Sequence, residues 1–237
     1  MSSTSENQPH QSLKDAIFRR IVASAWYKKL ITDQFHKMYY LGDETHPTWK
    51  STTWLGVRAL KCPFDLWIYQ EIIHDVRPDI IIETGTYHGG TALYLASICD
   101  LQNQGRVVTI DNHIYPDRPN HPRIHYLTGS STDPEVVQAL KEIVSPQDRA
   151  IVILDSDHHK QHVLTELNLY QEFVSIGSYL IVEDTNLGGH PVWPDFKPGP
   201  VEAIKEFLAH HQDFGMDKSC ERQLLTFNPK GYLKRIR

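Results

Sequence analysis

The sequence predicts an α/β protein: a doubly wound, mostly parallel sheet covered by helices on both faces, finished by an antiparallel C-terminal hairpin and preceded by an N-terminal helical segment. Three observations carry that expectation. From residue 79 onward, short β-branched apolar runs alternate with stretches of helical periodicity, the order that produces parallel strands joined by crossover helices. The run Ile80-Ile81-Ile82 enters Glu83-Thr84-Gly85-Thr86-Tyr87-His88-Gly89-Gly90-Thr91 and then an Ala/Leu-rich stretch, as a buried parallel strand does where it turns into a helix. The strand candidates end on acids, at Glu83, Asp111, Asp155 and Glu183-Asp184.

The elements follow in order. Residues 1–12 are polar and read as disordered. From Leu13, the apolar positions Ile17, Ile21, Val22, Ala25, Leu30 and Phe35 recur at helical spacing, giving one helix or two ending near Met38. Residues 39–50, rich in Gly, Pro, Thr and His, read as a loop. Pro63 suits a first helical turn, and the helix it opens carries Leu66, Ile68, Tyr69, Ile72 and Ile73 and stops before Pro78. Strands are expected at 79–84, 106–111, 123–127, 150–155 and 178–183, and helices at 89–99, 133–144, 160–173 and 200–210. At the end, 223–228 and 232–236 flank Pro229-Lys230-Gly231, a hairpin signal. The domain organisation is therefore a disordered 1–12, a helical extension 13–77 and one sheet domain 78–237.

Composition excludes several classes. A formal charge of −5 lacks the basic footprint of a nucleic-acid binder. No apolar run approaches the roughly 18 residues of a membrane span, and residues 1–11 lack the apolar core of a signal peptide. Cys62, Cys99 and Cys220 form no CxxC, which points to a reducing compartment and a cytoplasmic protein. The expected partners are a small molecule and, through the N-terminal helix, a second copy of the chain, with no nucleic acid and no membrane.

In a doubly wound sheet the ligand lies outside the carboxyl ends of the strands, near the point where strand order reverses. The glycines at 85, 89 and 90 let a ligand approach the backbone. Asp111, at the end of the next strand, suits the two ribose hydroxyls of an adenosine-bearing cofactor, although capping the following loop is the plainer role. NAD and S-adenosylmethionine both meet these conditions. The spacing departs from GxGxxG, and a carboxylate at Glu83 would repel a pyrophosphate but suit an α-ammonium group, so S-adenosylmethionine is favoured. Gly129-Ser130-Ser131-Thr132-Asp133 offers hydroxyls where the adenine should lie, with Asp133 the N-cap of the helix opening at Pro134.

A second centre lies at Asp155-Ser156-Asp157-His158-His159 and at Glu183-Asp184-Thr185-Asn186. Side chains alternate faces along a strand, so Glu183 and Asp184 converge only if the chain turns at Asp184. Asp155, Glu183 and Asp184 would then offer oxygen ligands to Mg²⁺, with Mn²⁺ or Ca²⁺ as substitutes. His158 is the candidate general base, since an imidazole with a pKa near about 6.5 accepts a proton at neutral pH. His159 and Asp157 are the competing neighbours. In the long loop 185–200, Trp193 and Phe196 could stack on a sugar or ring, and His190 or Asp195 could bond its hydroxyls. Tyr39, Tyr40 and the region of Trp54 are weaker candidates for the far wall.

The stretches from Glu83 to Gly90, Asp155 to His158 and Val182 to Asn186 resemble the family of cephalosporin hydroxylases and rhamnosyl O-methyltransferases. Trp54-Leu55-Gly56-Val57, Leu60-Lys61-Cys62-Pro63 and Pro198-Gly199-Pro200-Val201-Glu202-Ala203 share in the resemblance, which runs from about residue 50 to 228. It implies a Rossmann-like class I methyltransferase fold, a cousin of the catechol O-methyltransferases. It also implies a cofactor site lined by Glu83, Gly85, Tyr87, Thr91, Asp111, Ser131 and Asp155, and a divalent ion on Asp155, Glu183 and Asp184. Where the catechol enzymes carry a lysine three residues after the first metal ligand, this chain has His158. The resulting expectation is a metal-dependent O-methyltransferase acting on a hydroxyl of a sugar or other natural product. A nicotinamide-dependent oxidoreductase on the same kind of sheet, and a non-catalytic cofactor-binding regulator, are the competing readings.

Overall fold

The computed structural model describes residues 9–42 and 47–237. Most of the expected disordered segment, residues 1–8, lies outside these, as does 43–46 of the expected loop. Helix α1 (Pro9–Ala23) already begins at Pro9, and α2 (Ala25–Leu41) runs through Tyr39 and Tyr40, where the sequence predicts a loop. The reason is packing: the rings of Tyr39 and Tyr40 lie 5.3 and 5.1 Å from Phe227, so the aromatic end of α2 is held against the C-terminal segment. A short antiparallel pair, β1 (Thr53–Trp54) and β2 (Val57–Arg58), precedes α3 (Pro63–Val76).

The sheet domain then alternates as expected: β3 (Ile80–Thr84), α4 (Gly90–Gln102), β4 (Arg106–Asp111), β5 (Ile124–Thr128), α5 (Pro134–Ile143), β6 (Ala150–Leu154), α6 (Lys160–Tyr170), β7 (Tyr179–Val182) and α7 (Pro200–His210). Asp133 caps α5, accepting the Glu135 N–H at 3.1 Å. Strands β3 to β7 pair in parallel in the order β5-β4-β3-β6-β7. Order reverses between β3 and β6, which opens a crevice at their carboxyl ends.

Period-two alternation explains both covered faces. Ile80, Ile82, Val108, Val152, Leu154 and Leu180 point to one side, against Leu140, Leu167, Ile204 and Phe207 of α5, α6 and α7. Ile81, Val107, Ile151 and Ile181 point to the other, against Tyr69, Ile72 and Ile73 of α3 and Leu95 of α4. Helix α3, which the sequence groups with the N-terminal extension, thus forms part of the sheet's own core.

The antiparallel finish is present, with a different partner from the expected one. Strand β9 (Tyr232–Arg235) pairs with β7 and with β8 (Phe214–Met216), not with 223–228. Buried Asp65 explains why 223–228 stays out of the ladder. Its carboxylate accepts the Thr226 hydroxyl, the Phe227 N–H at 2.8 Å and the Tyr232 hydroxyl at 2.7 Å, drawing that stretch across the sheet end. Gly231 is a crossing point: a Cβ there would stand 2.1 Å from the Val182 carbonyl oxygen. Loop 185–200 is also tied down, with Thr185, Asn186, Leu187 and Val192 buried and Val192 N–H bonded to Asn186 O at 3.1 Å.

Candidate active site

The crevice between β3 and β6 opens into a cleft of about 810 Å³. Tyr87, Thr91, Asp111 and Ser131 line one end; Asp155, His158 and Asp184 stand at the middle; Trp193 and Phe196 line the other end. Most of the residues singled out from sequence therefore meet in one place. His190 does not: it bonds Glu202 Oε1 at 3.1 Å and stands outside the lining. Trp54 is also elsewhere, its ring 4.9 Å from Tyr94 and its indole N–H on Ser97.

The glycine loop is organised differently from the sequence expectation. A Cβ on Gly85, whose φ is +86°, would stand 1.9 Å from the Asp155 carbonyl oxygen, and one on Gly90 would stand 2.0 Å from that of Arg58. These two lack side chains so that protein backbone can approach: at Gly85 this brings the ends of β3 and β6 together, and at Gly90 it seats β2 on the start of α4. Gly85 still lines the cleft. Tyr87, at φ +50°, turns the chain so that its N–H meets Asp111 Oδ2 at 2.7 Å. Asp111 also accepts the His113 N–H at 2.9 Å and pairs with Arg118 at 3.2 Å, so it caps its own loop while facing the cleft.

Glu83 is fully buried beneath the loop. Thr109 donates to Oε2 at 2.5 Å, and Oε1 has no protein partner. Burial pushes its carboxyl up to about 8, against the Thr109 hydrogen bond and the Lys61 charge. Glu83 therefore does not line the cleft, and the expectation that it meets a ligand's ammonium group directly is not borne out: burial beneath the loop keeps it behind Thr109. At the far side of the rim, His162 Nε2 lies 3.1 Å from Ser131 Oγ and 3.0 Å from Ser156 Oγ, while Ser156 donates to buried Glu166 at 2.7 Å. Hydrogen bonding to Glu166 raises the His162 pKa.

The turn required at Asp184 exists, at φ +53°. It separates the two acids rather than converging them. Asp184 faces the cleft, its Oδ2 3.3 Å from His158 Nε2, and one ligand atom from each of Asp155, His158 and Asp184 lies within 4.8 Å of the others. The two carboxylates of this set could hold a divalent cation, with the imidazole free to act beside it. Glu183 points behind them, where Oε1 accepts the Tyr69 hydroxyl at 2.8 Å and Oε2 meets Lys61 Nζ at 2.9 Å. Lys61, 2 % exposed, also contacts Asp155. Burial raises the carboxyl pKa values of Asp155 and Asp184 and takes Glu183 to about 7, with Lys61 opposing it in each case. For Lys61 burial works downward, and Asp155 and Glu183 outweigh it, leaving the ammonium above its ordinary value.

Sequence reasoning missed Lys61, although it stands in a quoted motif, and Trp49. Trp49 stacks on Tyr40 at 5.6 Å and 20°, and Trp193 meets Tyr40 edge-on at 5.6 Å. Tyr40, whose hydroxyl reaches Asp184 Oδ1 at 3.3 Å, completes the aromatic wall. A cluster of aromatics between Tyr39 and Trp54 was the available signal.

A doubly wound sheet with an antiparallel finish, carrying this rim of acids at its switch point, defines a class I methyltransferase. The chain belongs to the rhamnosyl O-methyltransferase/CmcI family, whose model matches residues 46–236. A rhamnosyl O-methyltransferase of Mycobacterium tuberculosis is 37% identical over 212 residues, covering 86% of this chain and 85% of that protein. The Mycobacterium leprae protein of the same name is 36% identical over 211 residues, covering 86% and 90%. Among solved structures, a CmcI structure described with Mg and SAM superposes with a TM-score of 0.65 at 22% identity, covering 82% of this chain and 81% of its own. The CmcI apo structure gives 0.63 at 23%, covering 82% and 80%. The family places the chain among methyltransferases and removes the ground for the nicotinamide reading.

Proposed function

We propose that this chain transfers a methyl group from S-adenosylmethionine to a hydroxyl of a sugar or comparable small natural product, assisted by a divalent ion, Mg²⁺ first. One observation carries the proposal: the candidate metal donors Asp155 and Asp184, with the candidate base His158 beside them, open into the same cleft as Tyr87, Asp111 and Ser131. The relatives are named for O-methylation at a rhamnosyl group, and the same acceptor class is proposed here.

When bound, S-adenosylmethionine supplies an electrophilic methyl group, and a divalent ion supplies charge that lowers the acceptor hydroxyl's pKa. The chain's own residues do the rest. Asp111 offers acceptors for the ribose and Ser131 a hydroxyl for the adenine, while Glu83 joins them on the family resemblance alone. Asp155 and Asp184 hold the ion; Glu183 joins them on the family resemblance alone. His158 Nε2 takes the hydroxyl proton, and Asp184 at 3.3 Å steadies the resulting imidazolium. Tyr40, Trp49, Trp193 and Phe196 wall the acceptor end, where flat rings suit the apolar face of a sugar and exclude water. The 13–77 extension thus serves the methyltransferase domain by supplying acceptor-side residues. Three free buried cysteines suit a reducing compartment, the cytoplasm, and no helix among the described residues is long and apolar enough to cross a membrane. Helix α1 and the start of α2 expose Leu13, Ile17, Phe18 and Trp26, which supports pairing with a second copy.

The test is methyl transfer from labelled S-adenosylmethionine to a panel of rhamnosyl glycosides. Turnover should require a divalent ion and vanish in EDTA; full turnover in EDTA would sink the metal assignment. Asp155→Asn should abolish turnover yet still bind S-adenosylhomocysteine by calorimetry. His158→Ala should lower kcat by about 10²–10⁴-fold, with little change in acceptor KM; an unchanged kcat would remove it as base.

A further inference from the structure

Lys61 occupies a place that needs explaining. It leads into α3 immediately before Cys62 and Pro63, is only 2 % exposed, and its main chain is pinned by the Ala59 carbonyl oxygen at 2.7 Å and Thr52 Oγ1 at 3.3 Å. Its Nζ contacts Asp155 Oδ2 and lies 2.9 Å from Glu183 Oε2. Glu183 is fixed from its other side by the Tyr69 hydroxyl, which in turn accepts Asn228 Nδ2–H at 3.0 Å. Burying a lysine is costly unless its charge is matched. Here one ammonium faces a group of four acids, Glu83, Asp155, Glu183 and Asp184, and touches two of them.

The placement has an electrostatic consequence. Without a cation, negative charges on these carboxylates would repel one another in a poorly solvated rim, and the rim would splay apart. A lysine threaded between two of them offsets part of that repulsion and holds them in register. Asp155 is also a candidate ligand of a divalent ion, and Glu183 is one on the family resemblance, so the fixed ammonium and the ion draw on a shared negative charge.

We propose that Lys61 is a positioning residue for the metal: it cross-links Asp155 to Glu183, keeps the rim assembled without an ion, and competes with the divalent ion for those two carboxylates. This rests on the metal assignment proposed above. Lys61 thereby weakens metal binding to an exchangeable level and makes the fold independent of the metal. If the ion could not reassemble the rim without Lys61, the opposite would hold: loss of the lysine would weaken the ion's hold.

The test compares the full-length wild type with Lys61→Met by Mn²⁺ calorimetry and by thermal melts with and without Mn²⁺, at one pH. The variant should melt lower than wild type without metal, bind Mn²⁺ on the order of tenfold more tightly, and gain more in melting temperature from Mn²⁺ than wild type does. Equal or weaker Mn²⁺ affinity in the variant, with wild type binding normally, overturns the role of Lys61 and leaves the metal assignment standing. Absence of Mn²⁺ binding in both proteins overturns the two together. If Lys61→Met does not fold, the double variant Lys61→Met/Glu183→Gln decides, since it removes both partners' charges while Gln retains an acceptor for Tyr69. A cooperative melt in the double variant supports the cross-link, and failure to fold overturns it.

Discussion

Glu83 shows what a single buried acid does to this molecule. Its ordinary value is 4.5 and burial takes it to about 8, so between these limits the folded chain holds a proton that the unfolded chain has released. Stability therefore falls as pH rises from about 4.5 to about 8. Glu83→Gln keeps an acceptor for Thr109 and cannot ionise. Scanning calorimetry of ligand-free protein should show the variant melting above wild type at pH 8, by about 2–4 °C per kcal/mol relieved, and level with it near pH 4.5. An equal gain at both values would mean that the effect is packing and not charge. At this scale the sequence exposed the acids and His158, because they stand at strand ends in short polar clusters. It did not expose which acids meet. Glu183 and Asp184 are neighbours in the chain, yet a left-handed residue at 184 sends one to the cleft and the other to Lys61.

The elements themselves were legible wherever a pattern was local. Strands β3 to β7 and helices α3 to α7 fall within a few residues of their sequence positions, since buried β-branched runs and helical spacing encode them directly. The tail was not, because Asp65 in α3 gathers Thr226, Phe227 and Tyr232 across more than half the chain, and no local signal competes with that. The glycine loop gives the clearest element-scale prediction. Gly85→Ala would combine strain at φ +86° with a Cβ 1.9 Å from the Asp155 carbonyl oxygen, a contact with backbone that no rotamer relieves. A loss of about 2–4 kcal/mol is expected from strain and overpacking, read from urea unfolding. Its S-adenosylhomocysteine affinity should fall as well, because Gly85 itself lines the cleft. A variant as stable as wild type would show that β3 and β6 do not need this approach.

For the whole molecule, helix α1 is the part with the least support. Its residues Leu13, Ile17, Phe18 and Ile21 are 60, 51, 63 and 40 % exposed, a stripe that one subunit leaves uncovered. If a second copy covers it, the full chain should sediment above its 27.3 kDa monomer mass and a chain beginning at residue 24 should not. A monomeric full-length protein would refute that pairing. The class of fold, the alternation of elements and the chemistry at each strand end were determined by the sequence alone, because residue type, period and spacing act over a few residues. Tertiary structure decided what those groups became. It set Lys61 between Asp155 and Glu183, brought Tyr40 and Trp49 from the N-terminal extension to the cleft, and turned Gly85 into a contact between strands. Each of these depends on backbones distant in sequence meeting at one sheet edge, and the free energy that selects them comes from burial and charge pairing that no local stretch contains.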